Sequence, residues 1–126
     1  MDSIIIENDK IGQIKAKLLT HKNPNTVKAI INALPMDLNL GRWGEALFER
    51  KGLRIPAENT QIDCKVGDIG YWMQGDCIVI FFGKTPRSEN DHPVAASAVN
   101  IFAKIIGDPL VFKQFKTFSG TLKAGD

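Results

Sequence analysis

The chain has 126 residues and a formal net charge of +2, from sixteen basic and fourteen acidic side chains spread along its length. A chain of this size forms one ordinary domain with a core of its own, so we expect a single domain over residues 1–126. The near balance of charge argues against a surface for nucleic acid or for an anionic membrane, and no segment approaches the roughly twenty apolar residues of a transmembrane helix.

The N-terminus and the cysteines bear on location and cofactors. Residues 1–4 lack a basic region followed by a long apolar run, so we expect a cytoplasmic protein. Cys64 and Cys77 stand alone, without a CxxC spacing, which indicates reduced structural thiols rather than a disulfide or a zinc site. We predict neither a metal nor a cofactor.

The first predicted unit is a β-hairpin. Residues 4–6 are three isoleucines, residues 7–10 are turn-forming, and residues 11–19 alternate between apolar and polar side chains. This alternation predicts a second strand with one solvated face.

The clearest helix signal follows. Asn23 suits the N-cap and Pro24 suits the first helical position. Apolar side chains then recur with the i, i+3, i+4, i+7 spacing of one helix face, at Val27, Ile30, Ile31 and Leu34. Pro35 ends the predicted helix.

Strand-like alternation returns in residues 36–50. Gly41 and Gly44 flank Arg42 and Trp43, which allows a bend or bulge at that point. The segment that follows, through residue 60, is rich in loop-forming residues.

Residues 66–106 hold the longest apolar run and most of the tight turns. Gly67 to Gly70 predict a turn into a strand that begins at Tyr71, and residues 77–82 are six apolar residues that predict a strand covered on both faces. Residues 84–93 are polar and bounded by prolines, which is typical of a loop. Residues 94–106 fit a strand or a helix by periodicity, and their β-branched residues favour a strand.

The C-terminal part is predicted to contain a second short helix and a last strand. Asp108 and Pro109 suit the start of an α-helix that runs through Phe115. Residues 118–122 then predict a final strand.

Four motifs together resemble the small bacterial and archaeal cyclophilin-like proteins, a family with a known fold and no established activity. They are the sequences WGE at 43–45, GDIGYW at 67–72, IFFGKTP at 80–86 and ASAVNIFAKI at 96–105. Their order and spacing fit the family over nearly the whole chain. The resemblance implies a mainly β fold, a closed and mostly antiparallel cyclophilin-like β-barrel with two short α-helices.

The resemblance, together with positions at strand ends, predicts a ligand-binding pocket at the barrel surface. Aromatic and small polar side chains are the mixture that such a pocket needs. The candidate ligand-binding residues are Trp43, Glu45, Tyr71, Phe82, Thr85, Ser97 and Asn100. The alternative is that Trp43 and Phe82 belong to the core and that Asn100 ties down a loop, because buried polar groups are often structural.

Three functions stay open on the sequence. The first is binding of a small molecule or an extended, proline-containing peptide without a catalytic assignment. The second is a peptidyl-prolyl isomerase, which needs an arginine beside aromatic residues; Arg42 and Arg87 are the arginines near such positions, but the Phe-His-Arg triplet that marks active cyclophilins is absent. The third is an accessory module of an amide-hydrolysing or carboxylase-type enzyme, which the resemblance implies because such enzymes contain similar barrels.

Other constellations carry weaker signals. His92 lies among polar loop residues, which is more typical of a solvated loop than of a metal site or a general base. Ser88 and Ser97 lack a GxSxG elbow and partners for nucleophilic catalysis. Exposed strand edges would also allow a homodimer.

Overall fold

In a computed structural model, which describes residues 1–125, the chain forms a closed antiparallel β-barrel. The strands of the described residues are β1 (Ser3–Asn8), β2 (Gly12–Leu18), β3 (Met36–Arg42), β4 (Ala46–Arg50), β5 (Gln61–Asp63), β6 (Asp68–Trp72), β7 (Cys77–Phe81), β8 (Val94–Ile106) and β9 (Thr117–Ala124). Helix α1 spans Pro24–Ala33, and a 3-10 helix spans Pro109–Gln114. The cyclophilin-like fold class predicted from the sequence is confirmed.

Eight strands make the barrel, in the order β2-β1-β9-β3-β4-β7-β6-β8, and β8 closes it by pairing with β2. The last part of β8 pairs with β2, from Ala103 to Ile106, while its first part pairs with β5, from Val94 to Val99. The short strand β5 is therefore an addition alongside β8. The strand interpretation of residues 94–106 is confirmed, since this segment has to serve three neighbouring strands.

The barrel interior is filled by the side chains that alternate inward from each strand. Tyr71, Phe82, Phe102 and Phe118 are fully buried there, together with isoleucine and leucine side chains from β1, β3 and β4. Helix α1 adds Val27 and Ile30 to the same cluster. Neither helix formed by residues 1–125 has the length and apolar surface needed to span a lipid bilayer.

The second helix is a 3-10 helix, so the α-helix predicted there is wrong in type. Asp108 starts it as expected, with Oδ1 accepting a hydrogen bond from the Leu110 N–H at 2.9 Å. The N–H of Phe115 bonds to the carbonyl of Phe112, three residues back, at 3.2 Å. The chain has only six residues here before it enters β9, too few for the wider α-helical turn to become established.

Two further local expectations are corrected by long-range contacts. The Asn23 side chain does not cap α1, because Nδ2 donates to the Ile101 carbonyl at 2.7 Å and Oδ1 accepts from the Asn59 N–H at 2.8 Å. Strand β6 begins at Asp68 rather than at Tyr71, because Gly70 is paired with both neighbouring strands. Glycine at position 70 allows β6 and β8 to lie close together, since a Cβ there would lie 2.8 Å from Ile101 Cδ1 and 3.2 Å from the Asn100 carbonyl oxygen.

Both cysteines are buried free thiols, and we expect them to be unreactive in the folded protein. Burial raises the pKa of Cys64 to about 12 and also raises the pKa of Cys77, so the nucleophilic thiolate is scarce at mildly alkaline pH. A chromogenic disulfide reagent should therefore label both thiols rapidly in denaturant and slowly in the native protein, with the native rate rising as the pH is raised. Equal rates in the two conditions would contradict this burial.

Candidate ligand-binding groove

The outer face of β7 is apolar, and it forms the floor of a groove. Ile78 and Ile80 point into the barrel core, so the alternate residues Val79 and Phe81 lie on the outside. Both outer side chains are nevertheless buried, at 5% and 1% exposure. They belong to a second apolar cluster outside the barrel, which explains why the sequence of β7 is apolar on both faces. The other buried members of this cluster are Ala46, Cys64, Ala95, Val99 and Ile101.

This groove has a volume of about 430 Å³ and is bounded by β4, β6, β7, β8 and the two loops at their ends. Its lining residues, which we call the groove residues, are Trp43, Phe48, Trp72, Val79, Phe81, Pro86, Arg87, Ala95, Ala96 and Val99. Nine of the ten are apolar, and Arg87 is the single charged member. The size falls in the range of about 300–1,000 Å³ that is usual for small-molecule sites.

Trp72 is a fixed wall of the groove. Its indole Nε1–H donates to Ser97 Oγ on the neighbouring strand β8 at 2.5 Å. Its ring packs against Gly75, where any Cβ would overlap the ring atoms. Ser97 therefore satisfies the one polar group of the Trp72 side chain, and it is the apolar ring of Trp72 that lines the groove.

Trp43 lies on the tight turn between β3 and β4. The Trp43 and Ala46 backbones exchange two hydrogen bonds, of 2.9 and 3.0 Å, around Gly44 and Glu45. Gly44 has φ +58°, which favours glycine. The Trp43 indole N–H has no hydrogen-bond partner within residues 1–125, unlike that of Trp72.

The loop between β7 and β8 brings Pro86 and Arg87 to the groove, and two hydroxyl groups hold this loop. Thr85 Oγ1 donates to the Val94 carbonyl at 2.5 Å, and Ser88 Oγ donates to the His92 carbonyl at 2.8 Å. The Thr85 N–H in turn bonds to Ser88 Oγ at 2.9 Å. The buried Thr85 thus positions the groove wall rather than lining it.

The two loops touch each other at Gly44, which yields a stability prediction. A Cβ at Gly44 would lie 2.9 Å from Thr85 Cα and 2.7 Å from Pro86 Cδ, whereas a Cβ at Gly52, with a similar φ of +67°, would meet nothing closer than 3.9 Å. Gly52→Ala should cost about 1 kcal/mol for the left-handed backbone alone. Gly44→Ala should cost at least about 1 kcal/mol more, because the loops must separate. Urea unfolding of both variants checks this, and equal losses would contradict the close contact.

Glu45 and Arg42 are engaged in contacts within the protein. Glu45 Oε2 lies 3.5 Å from Lys113 Nζ. The Arg42 guanidinium donates to the carbonyls of Gly44, Lys113 and Phe115 at 2.7 to 2.9 Å and lies 5.0 Å from the Phe82 ring centroid. Arg42 therefore joins the β3–β4 turn to the end of the 3-10 helix.

Three of the predicted site residues lie on the inner side of the sheet and do not line the groove. Phe82 packs in the core against Phe112, with ring centroids 6.3 Å apart. The Tyr71 hydroxyl donates to Asp76 and accepts from the Leu53 N–H at 3.0 Å. The structure thus brings Trp43, Thr85 and Ser97 to the groove or its walls and keeps Tyr71 and Phe82 apart from it.

Asn100, the third of them, ties three segments together inside the protein. Its Nδ2 donates to Thr26 Oγ1 and to the Pro56 carbonyl, and its Oδ1 accepts from the Glu58 N–H, each at 3.0 Å. Glu58 completes the network, since its carboxylate accepts from the backbone N–H groups of Asn25 and Thr26 at 3.0 Å and takes the helix-capping role predicted for Asn23. Contact of Asn100, or of any other predicted site residue, with a ligand stays a prediction.

The pKa of Glu58 reflects this capping role. Desolvation raises the pKa, but the hydrogen bonds from the Asn25 and Thr26 N–H groups and from the Thr26 hydroxyl outweigh it, and the pKa is lowered. The carboxylate therefore stays ionised at the N-terminus of α1, where the helix dipole favours a negative charge.

His92 is paired with an aspartate on β5. Its Nε2 lies 3.0 Å from Asp63 Oδ1, and this contact joins the β7–β8 loop to β5. Within residues 1–125 no three His, Cys, Asp or Glu side chains come together in the manner of a metal site.

Sequence reasoning missed most of the groove residues for one physical reason. Side chains alternate between the two faces of a strand, so a shift of one residue exchanges core for surface. The predicted residue was Phe82, but its neighbour Phe81 lines the groove; likewise Tyr71 was predicted, but its neighbour Trp72 lines the groove. Residues 77–82 are apolar without a break, so their sequence carries no signal that separates the side chains facing the core from those facing the groove.

Comparison with known proteins agrees with this architecture. The family model described as Cyclophilin-like matches residues 3–121. The chain is similar to the solution structure of a hypothetical protein from Archaeoglobus fulgidus, with 28% identity and a TM-score of 0.78, over 98% of this chain and 95% of that chain. Comparison with curated proteins gave no match. The match over nearly all of the chain confirms the resemblance found in its motifs, and the protein is a member of the Cyclophilin-like family.

Proposed function

We propose that the protein is a binding module that takes a small molecule, or the apolar side chains of an extended peptide, into the outer groove. The observation that carries this proposal is the pair of half-buried tryptophans, Trp43 and Trp72, over a floor of buried aliphatic and aromatic side chains. Such surfaces on a monomer usually serve recognition.

The rigidity of the walls supports binding over mere surface packing. Trp72 is held by Ser97 and Gly75, and the opposite loop is held by Thr85 and Ser88. A preformed groove loses little conformational entropy when a ligand enters, so more of the interaction free energy appears as affinity.

A groove-filling variant tests the proposal. Ala96 lines the groove and is half-buried, so Ala96→Trp should fill it, while Ala57→Trp places the same side chain at an exposed position that does not line it. We expect the neutral probe 4-biphenylmethanol to shift the indole N–H signals of Trp43 and Trp72 in two-dimensional NMR spectra of the wild type and of Ala57→Trp. Ala96→Trp should abolish these shifts; their persistence in that variant, or their absence in the wild type, would overturn the proposal.

A second candidate function, prolyl isomerisation, is favoured by the position of Arg87 at the edge of an apolar groove. The chemistry needs an arginine that can hydrogen-bond the substrate imide while the proline occupies an apolar pocket. Arg42 already donates to three carbonyls of the protein, which leaves Arg87 as the candidate.

An isomerisation assay on a proline-containing peptide at high protein concentration tests this candidate. Arg87→Ala should remove the activity, and Arg42→Ala should retain it at temperatures where that variant is folded. A rate that does not depend on Arg87 would contradict isomerase function and leave the binding module. The third interpretation, an accessory module of an amide-hydrolysing or carboxylase-type enzyme, stays a prediction that copurification with such an enzyme would support.

A further inference from the structure

We infer that the groove is selective for amphipathic carboxylic acids, whose apolar body lies on the floor while the carboxylate pairs with Arg87. This inference rests on the proposed function, because it names the class of ligand for the same groove. It follows from the donors and charges around an otherwise apolar surface.

Arg87 is placed at the groove by its backbone and is left with an unused charge. Its N–H bonds to Thr85 Oγ1 at 3.2 Å, within the loop that Thr85 and Ser88 hold. Its side chain is exposed, and its guanidinium has no ion pair or hydrogen bond within residues 1–125. Arg42 shows the opposite case, a guanidinium whose Nε and Nη1 groups donate to three backbone carbonyls.

Among residues 1–125, no acidic side chain lines the groove to neutralise Arg87. The carboxylates on the neighbouring elements have other partners: Glu45 pairs with Lys113 at 3.5 Å, and Asp63 pairs with His92 at 3.0 Å. Glu89 and Asp91 lie exposed on the same loop and are not groove residues. Of the side chains that the structure describes, the one charged member of the groove lining is therefore positive.

Trp43, which also lines the groove, carries a hydrogen-bond donor, its indole N–H. The Trp43 indole N–H is without a partner among the described residues, while that of Trp72 is taken by Ser97. The side chains of the groove with an unused hydrogen-bonding group, Arg87 and Trp43, are both donors, so they favour a ligand that carries acceptors. A carboxylate supplies two acceptor oxygens, and its bonds to a guanidinium are roughly twice as strong as those between neutral groups.

Two compounds of the same shape test the inference, 4-biphenylacetate and its neutral amide, 4-biphenylacetamide. Affinities are measured by titration of the two indole N–H signals at neutral pH. We expect the acid to bind about tenfold more tightly than the amide, from one charge-assisted contact. Arg87→Gln should remove this difference. Lys84→Gln should keep it, since it deletes the same charge from an exposed side chain of the same loop that does not line the groove.

The outcomes separate this inference from the proposed function. Equal affinity for the acid and the amide in the wild type, with both lost in Ala96→Trp, would overturn the acid selectivity and leave the groove as a binding site. An acid preference that Lys84→Gln weakens as much as Arg87→Gln would overturn the role of Arg87 in favour of the general field of the loop. Failure of both compounds to shift either indole signal would overturn the proposed function itself.

Discussion

Asn100→Ala should lower the free energy of unfolding by about 3 to 5 kcal/mol, because it breaks three hydrogen bonds in a fully buried network and leaves their partners unsatisfied. The Pro56 carbonyl and the Glu58 N–H would lose their partner, and the Thr26 hydroxyl would lose a donor. Urea denaturation at neutral pH measures the loss.

Asn39→Ala is the matched control for this variant. Asn39 is exposed on β3, and within residues 1–125 the one hydrogen bond of its side chain is to Ser119 Oγ, at 3.2 Å. Its removal should cost less than about 1 kcal/mol. If Asn100→Ala unfolds at the same urea concentration as Asn39→Ala, Asn100 does not hold the 56–58 segment to α1, and the structural account of this residue fails.

Phe112→Ala should be comparably damaging, with a loss of about 3 to 5 kcal/mol. Phe112 is fully buried and meets three other rings, with centroid separations of 6.3 Å to Phe82, 6.5 Å to Phe115 and 5.5 Å to Phe118. The 3-10 helix that carries it also supplies a carbonyl to Arg42, so the variant should loosen the β3–β4 turn as well.

Leu110→Ala, in the same 3-10 helix, provides the comparison. Leu110 is 47% exposed, so its truncation should change stability by less than about 1 kcal/mol. Thermal unfolding of the two variants at equal concentration checks the difference. Similar midpoints would show that the 3-10 helix does not plug the core through Phe112.

The sequence predicted the fold well in segments where the local pattern of apolar residues agrees with the faces that tertiary packing buries. Residues 77–82 are apolar on both faces because β7 has the barrel core on one side and the groove on the other. The helix spacing from Val27 to Ile30 matches a face that packs on the core. In these segments the spacing of apolar residues in the sequence matches the spacing of the side chains that the fold buries.

The errors occur where a distant segment decides the local outcome. Asn23 has the right chemistry for an N-cap, but its side-chain amide bonds to Ile101 and Asn59. The N-terminus of the helix is capped instead by Glu58, which lies in the segment between β4 and β5. These partners are distant in sequence, so the residues next to Asn23 do not predict them.

The candidate site was predicted less completely than the fold because a groove depends on which face each side chain takes. Strand ends and turns, which are local features, point to Trp43, Thr85 and Ser97, and these three lie at the groove or its walls. The sequence offers Arg87, with Arg42, as a candidate arginine for prolyl isomerisation but does not place it in the binding site. Its position at the groove depends on the hydroxyl contacts that fold the loop back.

The most direct test of the account is the position of a bound ligand. Intermolecular NOEs between the ring protons of 4-biphenylmethanol and the protein would locate it. The account predicts NOEs to the methyl groups of Ala95, Ala96 and Val99 and to the ring of Trp43. NOEs confined to an exposed apolar side chain elsewhere, such as Ile62 or Leu110, would contradict it.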